Sequence, residues 1–257
     1  MKPTGNTILI TGGGSGIGEA LAHRLHDQGN TVIVAGRRLE ALEKACEGRA
    51  DMSAIALDVD SKPQIEDFIE AVLANHPKLN VLINNAGVMR FEDLDHARDL
   101  TDAEETISTN LLGPIRLIDG FVDHLKAQAD SAIINITSGL AFVPLVAAPT
   151  YCATKAAMHS YTVSLREALK GQVEVIELAP PGVQTDLTPG QSSRQAYMPL
   201  KDFADEAMAR LSEQPTPSEI AVQRAQGLRT AEAEHRFEST FQALNEFARQ
   251  AREAQKG

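Results

Sequence analysis

Residues 7–29, TILITGGGSGIGEALAHRLHDQG, leave this chain few ways to fold. TILIT is a short apolar run rich in β-branched residues and reads as a buried strand. EALAHRLHDQG reads as an amphipathic helix that ends near Gly29. The glycine-rich turn between them lets the backbone bend tightly and come close to a pyrophosphate, whose charge the helix N-terminus attracts. Alone, such a turn is a flexible linker. Between a strand and a helix, it makes Gly12, Gly14, Ser15, Gly16, Ile17 and Gly18 candidates for binding a dinucleotide.

The pattern then repeats. Residues 31–35 (TVIVA) read as a second strand, ending at Gly36-Arg37-Arg38. NAD-binding folds place an acidic residue near this point, on the ribose hydroxyls. Two arginines stand here instead, and guanidinium groups pair bidentately with phosphate. Arg37 and Arg38 therefore favour NADP, with NAD as the alternative. A helix over 39–47 precedes a third strand over 53–57, which Asp58-Val59 closes. Asp58 is a candidate partner for an adenine amino group, or only a turn cap. Ser61, with Pro63 just inside, starts a helix that runs to about residue 75. Strand four (81–83) runs into Asn84-Asn85-Ala86-Gly87, whose composition also suits a plain turn. Residues 102–125 read as a long helix interrupted near Gly113-Pro114, with Asn110 inside it. That asparagine is either a kink residue or one that leaves a carbonyl or amide free for a water. Strands five (132–136) and six (173–178) follow, separated by a helix that runs to about residue 169.

Six alternations of strand and helix define an α/β, doubly wound parallel sheet of Rossmann type with helices on both faces, in a single domain over 1–257. Ligands bind such sheets at the carboxyl ends of the strands. The glycine turn, Arg37-Arg38, Asp58-Val59, the Asn85-Ala86-Gly87 turn, Ser138 and the 180–185 stretch PPGVQT all follow strands, so they converge on one edge.

The stretch 138–155, SGLAFVPLVAAPTYCATK, carries the chemistry. A helix beginning near Pro149 puts Tyr151 and Lys155 one turn apart on one face. A phenol loses its proton near pH 10. A neighbouring ammonium favours the phenolate, so the pair predicts a proton donor and acceptor near neutral pH. The Ser138 hydroxyl, just past a strand, is placed to hydrogen-bond a substrate oxygen.

Composition excludes other classes. A net charge of −11 over 257 residues, without a basic stripe, argues against nucleic acid and anionic membrane surfaces. Cys46 and Cys152 form no spaced pair and no metal pattern, which points to reduced thiols and a cytoplasmic setting. Cys152 reads as a small helix-packing residue. The N-terminus lacks the apolar core of a signal peptide, and no apolar run approaches the ~20 residues of a membrane helix. Residues 187–217 read as an irregular stretch with a helix over 201–211, an insertion that could close over substrate. Met198, Leu200 and Phe203 would supply apolar contact there, or ordinary packing. Residues 218–257 read as a helical extension, with segments over 218–227 and 231–252. Phe237, Phe241, Leu244, Phe247 and Ala248 form a stripe for packing or for a subunit contact.

Together these residues resemble the short-chain dehydrogenase/reductase family over about residues 7–186. TGGGSGIG is similar to its TGxxxGxG loop, NNAG to its motif after strand four, and Pro181-Gly182 with Thr185 to its motif after strand six. Asn110, Ser138, Tyr151 and Lys155 match its catalytic tetrad in identity, order and approximate spacing. The resemblance implies hydride transfer between nicotinamide and a carbonyl or secondary alcohol, with Tyr151 as general acid or base. It implies Lys155 on the nicotinamide ribose, Asn110 holding a water linked to Lys155, and Val183 and Thr185 near the carboxamide. It also implies a small-molecule substrate and a homodimer or homotetramer built on the two long helices. An epimerase, a dehydratase or an inactive cofactor-binding regulator on the same fold are the rivals. The sequence departs from the family after Pro217, where it reads as helix and not as a seventh strand.

Overall fold

In a computed structural model of the chain, residues 1–253 are described; the last four positions of the helical extension, 254–257, lie outside them. Seven strands, β1 (Thr7–Thr11), β2 (Thr31–Gly36), β3 (Met52–Ala56), β4 (Leu79–Asn84), β5 (Ala132–Ile136), β6 (Glu174–Ala179) and β7 (Glu219–Ala221), form one sheet in the order β3-β2-β1-β4-β5-β6-β7. Every pairing is parallel. The order reverses between β1 and β4, so a crevice opens where the helices following these two strands diverge to opposite faces.

The strands are mostly apolar, without a polar face, because both faces are covered. Successive side chains point to opposite faces. In β1, Ile8 and Ile10 enter one core with Val34, Ile83, Ile134 and Phe203. Leu9 enters the other, with Ile33, Phe68, Leu82 and Phe121. Helices α1 (Gly16–Asp27) and α7 (Leu200–Leu211) cover the first face. Helices α3 (Lys62–Asn75) and α5 (Gly113–Ala127) cover the second. The short helix α2 (Leu39–Cys46) follows β2. The start of α3 follows its sequence signal: the Ser61 side chain accepts the Gln64 N–H, with proline inside the first turn.

Three expectations need correction. The segment after Pro217 does contain a seventh strand. Its three residues are too few to show period-two alternation, and they are strand because the edge of β6 offers them backbone partners. A short helix, α8 (Gln223–Arg229), follows, and the final helix α9 (Phe237–Glu253) starts six residues later than its charge pattern predicts. The long helix around Asn110 is not broken at Gly113-Pro114. Helix α4 (Thr101–Ile107) passes through one wider π-helical turn (Ser108–Leu112) directly into α5. Such turns often mark functional sites. Among the described residues, no helix is long and apolar enough to cross a membrane.

Candidate active site

The carboxyl edge of β1 and β4 is held by reciprocal hydrogen bonds. Thr11 Oγ1 accepts the N–H groups of Asn85 and Ala86 at 3.1 and 3.0 Å. In return, the Asn85 amide donates to the carbonyls of Thr11 and Gly12 at 2.9 and 3.2 Å. Asn85 therefore stands behind the glycine turn and fixes its shape. Gly12 and Gly16 have φ of +68° and +57°, a region that suits glycine. A Cβ on Gly12 would lie 2.8 Å from the Asn85 amide nitrogen, so this turn is close-packed bare backbone.

Beyond the turn lies a cleft. Gly12, Gly14, Ser15, Arg37, Arg38 and Val59 line it, and Ala86 and Gly87 form its inner end. The Arg38 guanidinium donates to Ser15 Oγ at 3.3 Å, at the rim. Arg37 leans away toward Glu105, 3.5 Å distant. Asp58 is not among the residues at this cleft; its carboxylate accepts the Asp60 N–H. Ile17 packs on the core and Gly18 is buried within α1. Thr185 lies across from Gly16, where a Cβ would touch it at 3.4 Å. The Gln191 side chain ties Thr185 Oγ1 to the Val183 carbonyl.

Gly87 joins the cleft to the proton-handling groups: a Cβ there would be 3.2 Å from Asn110 Oδ1 and 3.8 Å from Lys155 Nζ. Asn110 sits in the π-helical turn, fully engaged through its amide. Its Oδ1 accepts the Val88 N–H and its Nδ2 donates to the Val88 carbonyl, both at 2.8 Å. Of the two options read from the sequence, the side-chain amide is thus occupied by backbone.

Tyr151 and Lys155 lie on helix α6 (Pro149–Ala168), one turn apart as the spacing predicts. Both are buried. Lys155 Nζ donates to the Ile136 carbonyl at 2.8 Å and stands 5.7 Å from the Tyr151 ring centre. Burial lowers the Lys155 pKa to about 8. Burial raises that of Tyr151 to about 12, against a hydrogen bond from Ser138 that lowers it. The sequence reading expected the ammonium to pull the phenol down. Here burial governs the phenol, and the Lys155 ammonium is directed at the Ile136 carbonyl instead. At neutral pH the phenol holds its proton and is a donor.

The N-terminus of α6 is capped by a residue that sequence reading missed. Glu92 accepts the Thr150 N–H and Oγ–H at 3.0 and 2.8 Å and pairs with Arg98 at 2.7 Å. Burial alone would raise its pKa, yet these partners hold the carboxyl below its ordinary value. The cap fixes the turn that carries Tyr151. A glutamate in an irregular segment gives no sequence signal of this. Cys152 is buried against the Leu145 backbone, and burial pushes its thiol to about 11, so it packs and is not a thiolate.

Ser138 and Tyr151 form the floor of a second cavity of about 260 Å³. Its walls are mainly apolar and include Met89, Leu140, Leu145, Leu187, Tyr197 and Leu228, with Pro181 and Gly182 beside the floor. Met198 and Phe203, considered for this role from the sequence, are buried in the core beneath it. The roof is α9. Leu244, Phe247 and Ala248 of the predicted stripe face the cavity, while Phe237 stacks on Phe241 with ring centres 6.1 Å apart. Asn245 ties the helix down, accepting the Val146 N–H at 2.7 Å and donating to the Pro144 carbonyl at 3.1 Å.

The family model described as short chain dehydrogenase matches residues 6–196. An uncharacterized oxidoreductase, DltE, of Bacillus subtilis (strain 168) is 38% identical over 252 residues, 95% of this chain and 98% of that protein. Among solved structures, an alcohol dehydrogenase from the archaeon Thermococcus sibiricus, complexed with 5-hydroxy-NADP, superposes with a TM-score of 0.75 at 25% identity, covering 84% of this chain and 94% of that one. A 3-ketoacyl-(acyl-carrier-protein) reductase from Brucella melitensis, complexed with NADH, gives 0.76 at 23% identity, covering 87% and 100%. At that identity the second likeness concerns the fold alone.

Proposed function

This chain belongs to the short-chain dehydrogenase family and is an oxidoreductase of that type; we propose that it is an NADP(H)-dependent reductase of a small-molecule carbonyl, with Tyr151 as the proton donor. The observation that carries this reading is that Ser138 and Tyr151 floor the apolar cavity while Lys155, one turn along α6, lies beside Gly87 at the inner end of the glycine-lined cleft. The close-packed glycine turn fits a pyrophosphate, because bare N–H groups at a helix start can approach an anion. The bound nicotinamide would supply and accept hydride. Gly12, Gly14, Ser15, Gly16, Val59, Gly87 and Thr185 would hold it, and Lys155 would hydrogen-bond its ribose.

Tyr151 then gives its proton to the carbonyl oxygen, and Ser138 orients that oxygen by a hydrogen bond. The buried phenol holds its proton at neutral pH, which is the form that a proton donor to a carbonyl oxygen must have. Since the Asn110 amide is spent on Val88, a water serving Lys155 would rest on the Asn110 main-chain carbonyl.

Arg38, at the cleft rim against Ser15, supports NADP, as does the NADP derivative in the archaeal structure. The NADH of the Brucella enzyme keeps NAD as the alternative. Fluorescence titration with both reduced cofactors tests this. NADPH should bind about 10- to 100-fold more tightly than NADH, the worth of a charged hydrogen-bonded pair, and Arg38→Ala should abolish the difference. A preference for NADH would overturn the assignment.

The same titration across pH tests Lys155. Its ammonium is present below about pH 8 and lost above it. Cofactor affinity should therefore fall as pH rises through that value, and Lys155→Met should flatten the profile. We further propose a homodimer or homotetramer in the cytoplasm. Ile107, Leu112 and Val163, exposed on α4, the π-helical turn and α6, support the first. The unpaired Cys46 and Cys152 support the second.

A further inference from the structure

Arg194 is the one charged side chain among the described residues that line the substrate cavity. It lies in the irregular stretch between β6 and α7. Its Nη1 donates to the Tyr197 hydroxyl at 3.0 Å, and the guanidinium lies over the Tyr197 ring at 5.3 Å. No carboxylate of the described residues pairs with it. Its Nε is buried and has no hydrogen-bond partner, and no described group accepts a hydrogen bond from Nη2. A buried N–H without a partner costs free energy that a bound acceptor would recover. Nε and Nη2 form the edge of the guanidinium that meets a carboxylate with two parallel hydrogen bonds. Tyr197 takes up Nη1, so a carboxylate in the cavity meets Nη2 directly and reaches the buried Nε once the guanidinium turns toward it.

The rest of the cavity wall is mainly apolar, with Gln191, Gln195 and Tyr197 as its other polar members, and the hydroxyls of Ser138 and Tyr151 lie on its floor. Resting on the reductase reading above, we propose that the substrate is an oxo acid with a hydrocarbon body, and that Arg194 binds its carboxylate. The apolar walls and Phe247 of α9 receive the hydrocarbon, and the oxo group meets Ser138 and Tyr151. Arg194 thus determines specificity without touching the reacting carbon.

The test uses octanoate and octanamide, which share a chain and differ in charge, with binding read by calorimetry on the intact protein. Octanoate should bind about 10- to 100-fold more tightly, the range for hydrogen bonds to a charged group. Arg194→Gln should remove that preference. Arg194→Lys, which keeps the charge but not the fork, should retain part of it. Equal binding of the two ligands by the unaltered protein, or a preference that survives Arg194→Gln, overturns the proposal. A second arm compares reduction of oxo-octanoates with that of their methyl esters. A higher kcat/KM for the acids, arising mainly in KM, supports the site. If octanoate preference holds and depends on Arg194 while no carbonyl compound is reduced, the site stands and the reductase reading falls.

Discussion

Tyr151→Phe is expected to lower carbonyl reduction by about 10²- to 10⁴-fold, the usual worth of a positioned proton donor. The change removes one oxygen and no carbon. The ring keeps its place in the apolar cluster with Leu145, Ala148 and Cys152. Ser138 loses a partner but still accepts the Leu140 N–H at 3.1 Å, so it is not stranded. Folding stability should therefore change by no more than about 1 kcal/mol. Lys155 keeps its carbonyl partner at Ile136, so NADPH affinity should stay within about twofold of the original, a small change on the scale of one charged contact. Steady-state rates, a melting curve and the cofactor titration separate these three readings. Retained turnover would remove Tyr151 from the chemistry. Loss of turnover with equal loss of cofactor binding would make it a structural residue.

The second large effect is expected from Gly18→Ala. By helix propensity alone the change should help, since alanine within a helix is favoured over glycine by about 1 kcal/mol. Packing reverses the sign. The new Cβ would stand 2.2 Å from the Gly12 carbonyl oxygen and 2.5 Å from Asn85 Nδ2. Neither neighbour is the free end of a flexible chain. The carbonyl belongs to the glycine turn, and the amide is the group that clamps it. To admit the methyl, the turn must move away from α1, at a cost of about 1–3 kcal/mol for overpacking. Displacement of the turn by about 1 Å should weaken cofactor binding by about 100-fold. Gly227→Ala in α8 is the control, because a Cβ there meets nothing within 4 Å. It should be neutral or raise the melting temperature slightly. If Gly18→Ala behaves like Gly227→Ala, the turn is looser than its contacts imply.

The parts of the fold that were legible are those in which local chemistry and tertiary role coincide. Strands β1, β2 and β5 are apolar at most positions because helices cover both sides, so they stand out from their polar flanks. The helix of Tyr151 and Lys155 was legible from proline and spacing. Strand β7 was not, since three residues take their conformation from the neighbour that pairs with them. Asn110 could be singled out, but the π-helical turn around it could not, because that register depends on the Val88 backbone that its amide grips. Glu92 and Arg194 were invisible for a related reason. Each is an isolated charge in irregular chain, and its meaning comes from Thr150 in one case and from a cavity and Tyr197 in the other. The phenol's pKa shows a further gap, since sequence spacing supplies the ammonium but not the burial that opposes it.

The roof of the substrate cavity has a consequence for how such a protein can diversify. In the proposed function, hydride and proton chemistry belong to the sheet edge and α6, whereas Leu244, Phe247 and Ala248 belong to a helix outside the sheet. Asn245 anchors that helix by two backbone contacts that any sequence at Pro144 and Val146 could supply. Leu244 and Phe247 can thus be exchanged without moving the glycine turn or the tyrosine, whereas Ala248 packs on the cluster that holds Tyr151. On that reading substrate range and reaction type are separately heritable, and a library confined to the cavity-facing positions of α9 is expected to alter what is reduced while leaving how it is reduced intact.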